Sequence, residues 1–83
     1  MRGTNFQELK RIVATIKLPE IVLGYILSEF SVNKIPSSEI YRRIGSRFSI
    51  DKKIIRACLI LLQESDAIEF RNVCHESYIL IKR

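Results

Sequence analysis

Residues 37–70 read SSEIYRRIGSRFSIDKKIIRACLILLQESDAIEF, and they contain the most informative structural pattern of the chain. It contains two runs in which apolar residues recur at helical spacing, followed by a run in which apolar and polar residues alternate. Ser37 is a good N-cap for a first helix over 38–44. We expect this helix to end at Gly45, because glycine commonly terminates helices.

A longer helix is predicted over about 50–65, with Ser49 as its N-cap. Its inner face would hold the apolar residues Ile50, Ile54, Ile55, Cys58, Leu59, Leu61 and Leu62. Asp66 follows as a helix-ending residue, because aspartate tolerates the left-handed backbone conformation better than most residues. A short helix, a tight turn and a longer helix are therefore expected in succession.

The period of the sequence changes after Asp66. Residues 68–71 alternate between apolar and charged, and residues 77–81 are rich in β-branched and aromatic side chains, which is typical of strands. Residues 72–76 separate the two runs and supply a turn. A C-terminal β-hairpin is therefore predicted over 67–83.

Two more helices are predicted ahead of residue 37. Thr4 and Asn5 are both good N-caps for an amphipathic helix over 4–17. Pro19 suits the first turn of a second helix, which is apolar around more than half of its circumference. Such a helix must be covered on more than one side, by the rest of the domain and by the first helix or a second copy of the chain. A short extended stretch is expected at Ile35.

Composition restricts the class of protein. The chain has 83 residues, enough for one domain, and its apolar (47%) and charged (28%) fractions are typical of folded globular proteins. Two cysteines are too few for a secreted disulfide scaffold, and the N-terminal residues do not resemble a signal peptide. The longest uncharged run, 21–28, is too short to cross a bilayer. We expect a cytoplasmic protein without membrane association.

Catalysis and metal binding are not indicated. The chain has one histidine, and it lacks a glycine-rich phosphate loop and a carboxylate pair arranged for acid–base chemistry. Cys74 and His75 are adjacent, which is not the spacing of a zinc site. We interpret Cys58 as a core residue and Cys74 as a turn or strand residue, with a redox disulfide as the less favoured alternative. No enzyme, cofactor or small-molecule ligand is expected.

The order of elements from residue 18 onward resembles the winged helix-turn-helix family of DNA-binding domains, most closely small bacterial and archaeal transcriptional regulators. The resemblance is carried by Ser38-Glu39-Ile40-Tyr41-Arg42-Arg43-Ile44-Gly45, by Ile55, Leu59 and Leu62 of the longer helix, and by Ser65-Asp66-Ala67-Ile68-Glu69. The family usually has glycine at the position of Asp66, and the turn 46–48 is slightly longer than usual. The implied fold is mainly α with a C-terminal β-hairpin: an extra N-terminal helix (4–17), a three-helix core (18–66) and a wing (67–83).

The resemblance implies binding to double-stranded DNA, and the net charge of +5 favours a polyanionic partner. The helix over 50–65 would enter the major groove, with Lys52, Lys53 and Arg56 on the outer face of its N-terminal half. The alternative is that these three side chains are simply the solvated side of an amphipathic helix.

Three arginines on or just after the preceding helix, Arg42, Arg43 and Arg47, are expected to contact phosphates. The alternative is an ion pair between one of them and an acidic neighbour, Glu39 or Asp51.

Two more residues have outward positions. Arg71 on the wing is expected to reach an adjacent minor groove, where arginine is favoured. Ile60 lies on the same outward side as Arg56. It would contact thymine methyl groups, pack under the wing or belong to a protein interface, and the sequence leaves all three open.

The sequence therefore predicts a homodimeric transcriptional regulator, with the first two helices as the dimer surface. The alternative for the first helix is an intramolecular cap on the core. The rival function is a winged-helix protein-interaction module of a larger complex. Single-stranded nucleic acid is less favoured, because Tyr25, Phe30 and Tyr41 are assigned to the core and leave no stacking platform.

Overall fold

The computed structural model describes residues 5–82, which form four α-helices and three β-strands. The helices are α1 (Phe6–Thr15), α2 (Leu18–Glu29), α3 (Ser37–Phe48) and α4 (Lys52–Glu64), and the strands are β1 (Lys34–Pro36), β2 (Ile68–Val73) and β3 (Glu76–Ile81). The fold is mainly helical with a small antiparallel sheet, and its β2–β3 hairpin follows the helices as predicted. No helix in this part of the chain is both long and apolar enough to cross a membrane.

The first two helices begin close to their predicted positions. Asn5 caps α1, and its side-chain Oδ1 accepts a hydrogen bond from the backbone N–H of Glu8 at 2.8 Å. The other predicted cap, Thr4, lies outside the described residues. Lys17 adopts a left-handed conformation (φ 61°) between α1 and α2, and Pro19 occupies the first turn of α2 as expected.

The start and end of α3 differ from the prediction. Ser37 is the first residue of α3 rather than its cap, and its hydroxyl is hydrogen-bonded to that of Ser77 in β3 at 2.8 Å. The helix does not stop at Gly45 but continues to Phe48. Helix propensity opposes glycine by only about 1 kcal/mol. The last turn offsets that cost by bringing Phe48 edge-to-face against Tyr25, with ring centroids 5.5 Å apart.

The start of α4 also differs. Ser49, the predicted N-cap, instead has a left-handed conformation (φ 55°) and ends α3. The cap of α4 is Asp51, whose Oδ1 accepts a hydrogen bond from the N–H of Ile54 at 3.0 Å. Serine and aspartate are both favoured N-caps, so the local sequence offers two starting points two residues apart. The longer α3 selects the second.

The sheet has the order β1-β3-β2, and both pairs of strands are antiparallel. Ile35 lies opposite Ile79 in this register, which confirms the predicted extended stretch. The hairpin turn contains only Cys74 and His75, and both have positive φ (51° and 67°), as in a type I′ turn. The predicted turn over 72–76 was too long, because its outer residues pair within the strands.

One cluster of buried apolar side chains joins these elements, and each helix and strand contributes to it. Its members are Val13, Val22, Ile26, Ile35, Ile40, Ile44, Ile55, Ala57, Cys58, Leu59, Leu62, Ile68, Ile79 and Ile81. The interpretation of Cys58 as a core residue is confirmed, and Cys74 lies in the exposed hairpin turn; both are free thiols. Asp66 has a positive φ of 68° after α4, also as predicted.

Helix α1 packs along both α2 and α4. Val13 provides its buried contact with the core, and the Lys10 ammonium lies 2.8 Å from the Glu64 carboxylate of α4. This packing confirms the alternative that α1 covers the core of its own chain. Beside this packed face, Ile12 (46%) in the last turns of the helix and Ile16 (59%), its C-cap, are exposed to solvent.

Candidate nucleic-acid interface

The N-terminal half of α4 presents three exposed cationic side chains, Lys52, Lys53 and Arg56. Buried Ile55 and Leu59 hold the inner side of the helix in the core. The apolar period that fixes these two residues therefore directs the three cations to solvent, as the sequence predicts. A helix held in this way can present its outer side to a second molecule.

Lys52 and Arg56 line a concave groove of about 580 Å³, which we call the α4–hairpin groove. It lies between α4, the first turns of α3 and the hairpin. Its apolar lining comes from Tyr41, Ile60 and Phe70, and Gln63 lies with the two cations on its polar side. The groove thus combines positive charge with apolar surface.

The cations of α4 are free of carboxylate partners. Among residues 5–82, the side chains that lie within 4 Å of a carboxylate are those of Lys10, Arg11, Arg42, Arg43, Arg71 and Lys82. The Lys52 ammonium lies 5.2 Å from the centroid of the Tyr41 ring. Burial raises the pKa of Tyr41, and the nearby charge of Arg56 opposes that rise. Three positive charges thus lie together in one exposed region, and no carboxylate among residues 5–82 lies within 4 Å of any of them.

The arginines of α3 are in a different situation. Arg42 is hydrogen-bonded to Glu39, and this bond is the main cause that lowers the pKa of the Glu39 carboxyl. Arg43 lies 3.0 Å from Glu29 of α2 and 3.5 Å from Glu39, and its guanidinium is 4.8 Å from the Phe30 ring centroid. The alternative of ion pairing is therefore confirmed through Glu39, whereas Asp51 caps α4 instead.

Arg47 is the third arginine predicted to contact phosphate. It lies in the last turn of α3, exposed, with its guanidinium 5.3 Å from the centroid of its neighbour Phe48. It takes part in none of the ion pairs of residues 5–82. None of the three α3 arginines lines the α4–hairpin groove. They lie beside it, on the next helix.

Arg71 lies on β2, near the open side of the hairpin. Its Nε is 2.6 Å from a Glu69 carboxylate oxygen, so its charge is balanced within the same strand. Beyond it, residues 72–81 contain neither lysine nor arginine. The hairpin tip therefore lacks the cationic side chains that favour entry into a minor groove.

Gln63 fixes the hairpin relative to α4. Its side-chain Oε1 accepts a hydrogen bond from the backbone N–H of Phe70 in β2 at 2.8 Å. The two sides of the groove are thereby joined through a direct contact. One lone pair of the Gln63 amide oxygen is engaged in this bond, which restricts the orientation of the amide.

Sequence reasoning missed Lys34. Its ammonium lies 4.5 Å from the Tyr78 ring centroid, in a second groove of about 590 Å³ between β1 and the hairpin. This groove shares Ser37, Ser38 and Ser77 with the α4–hairpin groove, so the two are continuous. The prediction of an extended stretch at the neighbouring residue 35 was the available signal, because pairing that stretch with the hairpin brings residue 34 to its edge.

In the part of the chain that the structure describes, no three histidine, cysteine, aspartate or glutamate side chains form a group that could hold a metal ion. A scan against protein-family models found no match. Searches of curated proteins and of solved structures likewise found no significant match. The function must therefore be inferred from the residues of this chain.

Proposed function

We propose that the chain is a winged helix-turn-helix protein that binds double-stranded DNA and regulates transcription. In this proposal α3 and α4 form the helix-turn-helix, α1 is an extra N-terminal helix, and the β2–β3 hairpin is the wing. The helical core followed by a hairpin that is joined to α4 supports the assignment. A regulatory role is what the family resemblance implies for such a domain.

One observation carries the proposal: Lys52, Lys53 and Arg56 are exposed and unpaired among residues 5–82, on the N-terminal half of the second helix of the motif. This is the part of a recognition helix that meets base edges in the major groove. Solvent-exposed helix faces usually mix the two signs of charge or contain internal ion pairs. Three cations without a carboxylate partner favour a polyanionic partner over a merely solvated face.

The remaining basic residues have graded roles in this proposal. Arg47 is the best placed α3 arginine for phosphate contact, since its guanidinium is not shared with a carboxylate. Arg42 and Arg43 would have to exchange their bonds to Glu39 and Glu29 for bonds to phosphate. Arg71 would contact the backbone beside the wing only after release from Glu69, so we expect it to contribute least.

We further propose that the protein acts as a homodimer. Three isoleucines of the first two helices, Ile12 (46%), Ile16 (59%) and Ile21 (52%), are exposed although α1 and α2 pack together. Symmetric dimers allow a helix-turn-helix to contact two half-sites about one helical turn apart.

The test measures binding of the purified protein to random-sequence duplex DNA. Fluorescence anisotropy gives the affinity at each of a series of salt concentrations. We compare wild type with the double variant Lys53→Ala, Arg56→Ala, which leaves Lys52 on Tyr41. We expect at least about tenfold weaker binding and a decrease of about two in the slope of log affinity against log salt.

The matched control is Arg11→Ala, Lys17→Asn, which also removes two positive charges, but from α1 and the α1–α2 turn. Asparagine suits the left-handed conformation at residue 17. This control is expected to change the slope by less than one. Equal losses in the two variants would indicate that net charge, and not α4, determines binding.

The rival function is a protein-interaction module, and the exposed isoleucines of α1 and α2 favour it. Exposed apolar surface that awaits a partner commonly leads to aggregation of the isolated protein. If folded protein shows no duplex binding even at about 50 mM salt, the DNA-binding proposal is wrong and this rival is preferred.

A further inference from the structure

The position of Ile60 in the structure distinguishes between the three roles that the amino-acid sequence left open for it. Ile60 lines the α4–hairpin groove and is only partly buried. The two other apolar groove residues, Tyr41 and Phe70, pack against the buried core, but Ile60 is not among the residues that do so. Its side chain is therefore not required to fill the interior, and it faces the same groove as Arg56.

The spacing along α4 relates Ile60 to Arg56. The two residues are four positions apart, which places them on one face of the helix and about 6 Å apart along its axis. Successive base pairs of duplex DNA are about 3.4 Å apart. Side chains with this separation reach base pairs about two steps apart.

The chemistry of each side chain selects a base. Guanine presents O6 and N7 to the major groove, and an arginine guanidinium donates to both, whereas the methyl group of thymine is contacted by apolar side chains. Arg56 is the arginine of the groove, and it has no carboxylate partner among residues 5–82. Adenine is usually recognised by an amide that both donates and accepts, and the bond from the Phe70 N–H restricts how the Gln63 amide can turn toward a base.

We infer that the α4–hairpin groove reads a guanine through Arg56 and a thymine methyl group through Ile60, about two base steps apart in the same half-site. This inference rests on the proposed DNA-binding function. It goes beyond that function because it names the bases that are recognised. It also makes an apolar residue, Ile60, a determinant of specificity.

The test begins with selection of bound duplexes from a random-sequence library by the wild-type protein. In the selected duplex, each thymine is then replaced in turn by deoxyuridine, which lacks only the methyl group. We expect one replacement to weaken wild-type binding about fourfold, the effect of removing one buried methyl-sized group. The Ile60→Ala variant should bind the thymine and uridine duplexes equally well.

The guanine contact is tested in the same duplex by 7-deazaguanine, which lacks the N7 acceptor. Replacement of the guanine about two steps from the sensitive thymine should weaken wild-type binding about tenfold and should have little effect on Arg56→Ala. The matched control is Val73→Ala, which shortens another exposed apolar side chain, at the end of the hairpin. It should discriminate between thymine and uridine as wild type does.

The outcomes separate this inference from the proposed function. If wild type binds no duplex DNA, the proposed function is wrong and the inference falls with it. If wild type binds but enriches no sequence, or binds the thymine and uridine duplexes equally, the inference alone is overturned. Persistent discrimination by Ile60→Ala would also overturn it.

Discussion

Cys58 and Cys74 have the same functional group in opposite surroundings. Cys58 is fully buried on α4, and burial raises the pKa of its thiol to about 11. Cys74 lies exposed in the hairpin turn. Because the thiolate is the reactive form of cysteine, a buried thiol with a raised pKa is unreactive at neutral pH.

We therefore expect iodoacetamide to alkylate Cys74 in the folded protein at neutral pH and to reach Cys58 only after unfolding. Peptide mass spectrometry after brief labelling, with and without concentrated urea, measures both sites in one sample. A Cys74→Ser variant should remain unlabelled until urea is added. Equal labelling of the two cysteines in the folded protein would contradict the burial of Cys58 in the core.

Sequence periodicity predicted which α4 side chains face solvent, because helix geometry alone fixes the sides of an amphipathic helix. It did not predict which arginines have carboxylate partners. Arg43 and Glu29 are 14 positions apart, on different helices, and meet only because α2 and α3 pack in a particular alignment. The periodicity of either helix contains no information on that alignment.

The boundary between α3 and α4 shows how local signals fail at the scale of an element. Gly45 indicated a helix end, yet it lies inside α3 where a Cβ atom would be 3.5 Å from the carbonyl oxygen of Ile50. That distance is an ordinary van der Waals contact, so close packing does not require the glycine, and the local sequence does not show that α3 continues to Phe48. The existence and order of the helices and strands were predictable, but this boundary depended on tertiary packing.

The corrected boundary gives a paired stability prediction. Asp51→Ala removes the hydrogen bond to the N–H of Ile54 and should lower the free energy of unfolding by about 1 kcal/mol. Ser49→Gly should leave stability unchanged or raise it, since glycine adopts a left-handed conformation without strain. Urea denaturation followed by circular dichroism measures both. A larger loss of stability for Ser49→Gly than for Asp51→Ala would indicate that Ser49, and not Asp51, is the N-cap of α4.

At the level of the whole molecule, the cations of α4 and the exposed isoleucines lie on different helices. Lys52, Lys53 and Arg56 lie on α4, whereas the exposed Ile12, Ile16 and Ile21 lie in α1, just after it and in α2. Sequence patterning predicted an excess of apolar surface on α2 and a partner for it. The structure shows that α1 and α4 cover part of that surface within the chain, and the homodimer stays a prediction.

The dimer is tested by Ile12→Lys, Ile16→Lys, which places two charges on the open side of α1. We expect wild type to be a dimer at micromolar concentration in sedimentation equilibrium and the variant to be a folded monomer. Val73→Lys, a charge at another exposed apolar position, is the control and should remain dimeric. A monomeric wild type, or a dimeric double variant, would exclude this face as the dimer interface.

The two-residue turn at the hairpin tip has a consequence for the order of folding. Cys74 and His75 both adopt left-handed backbone conformations, which cost non-glycine residues about 1–2 kcal/mol each. A turn of this composition is a poorer nucleus for the hairpin than the asparagine-glycine turns that form locally. We expect the helices to collapse first and then serve as the template on which β3 aligns, so that the sheet is the last part of the native structure to be completed.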